Sequence, residues 1–171
     1  PSAAPPSAAP PSAAPPCHPR VSTGPRPEWA RAGFSDDGSG IPHVMSRGGD
    51  ILGVLFGGEL NAPPAAGRNN KILWVARVPG RPGESLEITA IRDGTSEPVR
   101  RTVAGRPGPS IVDLPAAGCW RLALTWSGHT DTMDLVYRPP APPTVAGGIG
   151  ASSDGSPPRR TGTVTGPCRW C

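Results

Sequence analysis

Chemistry in this chain would have to come from three histidines, four cysteines and thirteen acidic residues. Nucleophilic catalysis needs a hydroxyl or thiol beside a base that a third group orients. His18, His43 and His129 lie far apart, and no G-x-S-x-G, H-E-x-x-H, P-loop or G-x-G-x-x-G pattern occurs. Ser127, His129 and Asp131 fall close together. Neighbours on one turn cannot converge on a reacting atom, so they read as a surface turn. Asp131 and Asp134 point to opposite faces of a strand, which removes them as a carboxylate pair for acid–base work. Asp36-Asp37-Gly38-Ser39-Gly40 resembles a fragment of an oxygen-ligand calcium loop, but the spaced carboxylates and closing Glu do not follow. It reads as a solvated turn. No catalytic residue, cofactor or metal ligand is expected, and the chain is read as not an enzyme.

The cysteines and aromatics are more informative. Cys168 and Cys171 form a C-x-x-C with no second pair for a zinc ribbon and no strand and helix for a thioredoxin-like site. Four cysteines allow three pairings. Cys17 opens the apolar part of the chain and Cys119 lies in its most hydrophobic segment, so a Cys17–Cys119 bridge is expected. Two free thiols are the alternative. Trp120 and Trp126 share a face with Leu122 and Leu124, which makes them core, and Trp74 lies in an apolar run. Trp29 stands in an irregular segment as a lid over one sandwich edge or as a surface anchor. With Arg31 it forms the candidate binding surface.

These residues need elements to hold them. Proline and glycine number 26 and 23 among 171 residues, a fraction that by itself suggests disorder. The distribution says otherwise. Residues 17–138 hold 26 of the 29 Ile, Leu, Val and Phe and four of the five Trp. Residues 1–15 are three copies of Pro-Ser-Ala-Ala-Pro, so 1–16 reads as a semi-rigid, Pro-rich spacer. Residues 139–171 read as a disordered Gly/Pro/Ser-rich tail. Strands are expected at Asp50–Phe56, Lys71–Val78, Ser85–Arg92, Pro98–Ala104, Ser110–Leu114, Cys119–Trp126 and Thr130–Tyr137. Lys71–Val78 is almost continuously apolar, as in a strand covered on both sides. Asp93-Gly94 and Ser127-Gly128 are hairpin signals. Residues 17–49 are irregular apart from a helical turn near Pro27–Ala32. The fold class is all-β: an antiparallel, immunoglobulin-like β-sandwich of about seven strands.

Three stretches carry a family resemblance: Asn70–Val75, Pro109–Pro115, and Gly118–Leu122 with Leu124-Thr125-Trp126. Together they resemble uncharacterised secreted or lipoprotein-type β-sandwich proteins of actinobacteria, over about residues 17–138. The resemblance implies the fold and an extracytoplasmic location, and it carries over no catalytic residues.

The net charge of +4 comes almost wholly from arginine, and no basic cluster exceeds two residues. A nucleic-acid footprint needs a denser stripe, so no nucleic-acid partner is expected. The longest apolar run, Ile51–Phe56, is too short to span a bilayer. A signal or lipid anchor would lie upstream of Pro1. The expected function is a non-enzymatic, secreted or cell-surface interaction or structural module of the bacterial envelope, meeting an envelope protein or glycan. The alternative is a ligand-binding module that uses exposed Trp and Arg on cell-wall glycan or another extracellular polymer.

Overall fold

The computed structural model describes residues 16–142, and the Pro-Ser-Ala-Ala-Pro repeat, the residues from 143 onward and the Cys168/Cys171 pair lie outside them. The alternating segments form ten strands: β1 (Val21–Ser22), β2 (His43–Met45), β3 (Ile51–Leu55), β4 (Leu60–Asn61), β5 (Lys71–Ala76), β6 (Leu86–Arg92), β7 (Pro98–Val103), β8 (Pro109–Ile111), β9 (Gly118–Trp126) and β10 (His129–Arg138). They build two five-stranded sheets, ordered β1-β2-β3-β5-β8 and β4-β10-β9-β6-β7. Every ladder is antiparallel except β4–β10, which is parallel and pairs Leu60 with Tyr137. The chain switches sheets after β3, β4, β5, β7 and β8, as in an immunoglobulin-like sandwich.

All seven expected strands are present. Three others, β1, β2 and β4, are only two or three residues long. A period cannot show itself over that length, which is why residues 17–49 read as irregular. β8 starts one residue early and stops at Ile111, although the Val112 N–H still bonds the Asn70 carbonyl at 3.0 Å in continuation of the β5–β8 register.

The core follows from the alternation. Trp120, Leu122, Leu124 and Trp126 of β9 and Met133, Leu135 and Tyr137 of β10 face Ile51, Ile72 and Trp74 of the other sheet. Each buried indole N–H has an acceptor: Trp74 gives to Ser110 Oγ at 3.0 Å, Trp120 to Ala116 O at 2.9 Å, and Trp126 to Val78 O at 3.1 Å. Tyr137 donates its hydroxyl to Val112 O at 2.7 Å, and burial pushes the phenol above its ordinary range. An unpaired polar atom here would cost about 1–3 kcal/mol, so these bonds let large amphipathic rings sit in an apolar layer.

A second apolar layer lies on the outer face of the first sheet. Leu52 and Val54 of β3 are buried there, together with Ala30, and Trp29, Phe34, Ile41, Leu73 and Val75 pack around them. The segment between β1 and β2 supplies the cover, including the short 3-10 helix Glu28–Ala30. This explains the continuous apolar run in β5, which is covered on both sides. Within the cover, Arg26 is fully buried with its guanidinium 3.5 Å above the Phe34 ring. Gly38, at φ 78°, lies directly against that guanidinium, where a Cβ would overlap it. The acidic turn beside it is held by its own side chains: Asp36 accepts from the Gly38 N–H and Asp37 from the Ser39 N–H.

Candidate functional site: a disulfide-held strap and its two clefts

The outer face of the second sheet presents short polar side chains. Its register sets Thr102, Glu87, Thr125 and Thr130 in one row across four strands. Thr102 Oγ1 bonds Glu87 Oε2 at 2.7 Å within that row. The next row is Arg100, Thr89, Ala123 and Thr132. Residues 16–22 run over one side of this face as a strap. Cys119 alternates with the inward Trp120 and so points outward, where it is bonded to Cys17 with Cα atoms 6.1 Å apart. The bridge expected from the sequence is therefore present, on the outside of the sandwich. It differs from the inter-sheet bridge of antibody domains. Beyond it the His18 N–H bonds Asp134 Oδ2 at 2.8 Å, and Val21 and Ser22 then join β2 in the opposite sheet. The strap thus starts on one sheet and ends in the other, crossing the β10 edge.

Two aspartates of β10 organise that crossing. Asp131 points inward at the end of the core and accepts from Ser46 Oγ (2.6 Å) and from the N–H groups of Gly48 (2.8 Å), Asp50 (3.2 Å) and Thr132 (2.7 Å). Burial, the largest single influence, raises its pKa, but these donors together outweigh it and hold the carboxyl below its ordinary range. Gly48 is required by proximity: a Cβ there would stand 2.8 Å from Asp131 Oδ2. The Arg47 N–H bonds the Thr132 carbonyl at 2.7 Å, so the β2–β3 turn closes this stretch of the β10 edge. Asp134 points outward yet is only 4% exposed. Arg47 Nη2 reaches it at 2.6 Å and Arg121 Nε at 3.6 Å.

A cleft lies on each side of the strap. One, of about 370 Å³, has Thr89, Ile91, Ala123 and Thr132 as its floor, Cys17 on one wall and the Arg92–Thr95 turn on the other. The second, of about 610 Å³, opens where the strap crosses the edge and is lined by His18, Arg20, Val44, Met45, Arg47 and Asp134. Among the described residues no group of His, Cys, Asp and Glu is placed to hold a metal ion, and no helix is long and apolar enough to cross a membrane.

The candidate binding pair takes a different position from either cleft. Trp29 is half-buried in the cover over the first sheet's outer face, rather than over a sandwich edge, and Arg31 Nε donates to the Arg26 carbonyl at 2.7 Å. The expected surface turn at 127–131 divides into three roles. Ser127 Oγ accepts from the Arg81 N–H, and His129 stacks on Trp126 with centroids 5.6 Å apart. Asp131 is buried rather than on the surface. Its signal was a lone carboxylate on the same face as Met133, Leu135 and Tyr137, a position that must be satisfied by hydrogen bonds if buried. Nothing comparable marked Arg20, Arg47 or His18.

No protein-family model matches the chain, and no curated protein matches it either. Among solved structures it is similar to the crystal structure of a provisionally assigned lipoprotein from Bacillus anthracis, at 19% identity and a TM-score of 0.43, covering 61% of this chain and 82% of that one.

Proposed function

We propose that this protein is a non-enzymatic, exported binding module of the bacterial cell envelope, which meets an envelope protein or polymer on the outer face of the β4-β10-β9-β6-β7 sheet. The observation that carries this reading is the asymmetry of the two outer faces. Residues between β1 and β2 cover one with a second apolar layer. Among the described residues the other bears only the strap, beside a cleft floored by Thr89, Ile91, Ala123 and Thr132. The Cys17–Cys119 bond supports an oxidising compartment, since such bonds persist outside the cytoplasm. A glycan partner would be met by threonine hydroxyls and arginines. Trp74, Trp120 and Trp126 are at most 3% exposed and cannot serve as a stacking platform.

The test is retention of an envelope component from extract by the immobilised chain. Ala123→Arg, which fills the cleft from an outward-facing position, is expected to abolish retention. Glu28→Arg, on the cover of the other sheet, is expected to leave it intact. Equal retention by the wild type and Ala123→Arg sinks the proposal.

A further inference from the structure

We infer that the cleft where the strap crosses the β10 edge binds a phosphate-bearing ligand, held between Arg20 of the strap and Arg47 of the β2–β3 turn. The inference goes beyond the outer-face reading and does not rest on it. Three observations carry it.

The first is charge. The cleft is lined by two guanidiniums and one carboxylate. That carboxylate, Asp134, is already engaged by the His18 N–H, by Arg47 and, from its far side, by Arg121. Arg20 is exposed and forms no ion pair among the described residues. The cleft therefore keeps a net positive field at its mouth, and a concave wall concentrates such a field.

The second is donor geometry. Arg47 is bonded to Asp134 through Nη2 alone, and its side chain is 41% exposed, so donors of its guanidinium remain to face the cleft. Asp134 orients that guanidinium as a buried partner orients any ligand-holding group. Arg20 approaches from a separate wall. Two forks on two walls suit an anion with three free oxygens better than the two oxygens of a carboxylate.

The third is shape. At about 610 Å³ the cleft exceeds one phosphate several-fold, and its apolar lining includes exposed Pro16 of the strap, partly buried Met45 and Val44, which is 1% exposed. A phosphorylated polyol or sugar fits that mixture, with its phosphate between the arginines and its carbon skeleton on the apolar wall. The disulfide sets the position of the strap, and with it Arg20 and His18.

Amide-resolved NMR titration of the disulfide-intact chain at constant ionic strength tests this, with inorganic phosphate, glycerol phosphate, acetate and glycerol as separate probes. Both phosphates are expected to move the amides of residues 18–20 and 45–47, glycerol phosphate at lower concentration. Acetate is expected to bind more weakly, and glycerol to have no effect. Arg20→Gln should weaken glycerol phosphate binding about fivefold or more, the loss of one charge-assisted contact. Arg68→Gln, at an exposed loop position with no ion pair among the described residues, should leave it unchanged. Opening the strap with Cys17→Ser plus Cys119→Ser should weaken it as well. Absence of phosphate-induced shifts at these amides overturns the inference. So does equal binding of acetate, or equal effects of the Arg20 and Arg68 substitutions.

Discussion

Asp131→Ala should be among the most damaging single substitutions in this domain. The carboxylate receives three hydrogen bonds from the β2–β3 turn and one from Thr132, and it is 7% exposed. Each charge-assisted bond is worth about 1.5–3 kcal/mol, but bonds to one group are not additive, and the Gly48 N–H can recover water at the surface. A net loss of about 3–5 kcal/mol is expected, set against a typical total of about 5–15 kcal/mol. For a domain of this size that corresponds to a Tm lowered by about 10–20 °C. Asp131→Asn keeps one acceptor oxygen but turns an NH2 toward donors, so it should lose less. The pH dependence supplies a separate readout. Because the folded-state pKa lies below its unfolded value of about 3.9, the stabilisation is present above that pH and lost as pH falls through the folded value. Thermal unfolding followed by circular dichroism at pH 7 and at stepwise lower pH measures both effects. The wild type should lose stability below about pH 4, and Asp131→Asn should lose distinctly less over the same interval. A drop in Tm under about 3 °C for Asp131→Ala, or unchanged acid sensitivity in Asp131→Asn, refutes the assignment.

Three further outcomes are expected. Removing the Cys17–Cys119 bond, which closes a loop of sequence separation 102, should destabilise by up to about 4.7 kcal/mol by loop-closure entropy. Denaturant unfolding of the double serine variant checks it, and a loss near zero would mean that the strap holds without its bridge. Gly38→Ala should cost about 1–3 kcal/mol, because Arg26 occupies the Cβ position and φ is 78°; urea midpoints that match wild type would contradict this. Acrylamide should quench the fluorescence of a chain carrying Trp29→Phe and Trp170→Phe only weakly, since Trp74, Trp120 and Trp126 are buried. Strong quenching would show that the rings are accessible.

Much of the fold was legible in local pattern. Leu86, Ile88 and Ala90 alternate with Glu87 and Thr89, and the buried and exposed positions of β6 follow that alternation. The Asp93-Gly94 and Ser127-Gly128 signals sit where β6 turns toward β7 and β9 meets β10. β1, β2 and β4 escaped notice because their pairing depends on partners elsewhere and their own length is too short to show a period. The site was less legible. Asp134 alternates outward beside Met133 and Leu135, as a solvated carboxylate would, and only the strap and two arginines make it buried.

From sequence alone, strand positions, the side each residue takes and the identity of the inward tryptophans were determined, because a period of two is a local property of an extended chain. The Cys17–Cys119 pairing was also anticipated from where the cysteines stand. Tertiary structure alone decided what lies over each outward face. Residues 23–42 cover one sheet, while the strap crosses the edge of the other and makes a clefted surface there. The residues that meet at that edge are 85 positions apart for Ser46 and Asp131 and 116 for His18 and Asp134. Alternation says which way a side chain points, but the segment that arrives to meet it is chosen by the closing of the whole sandwich.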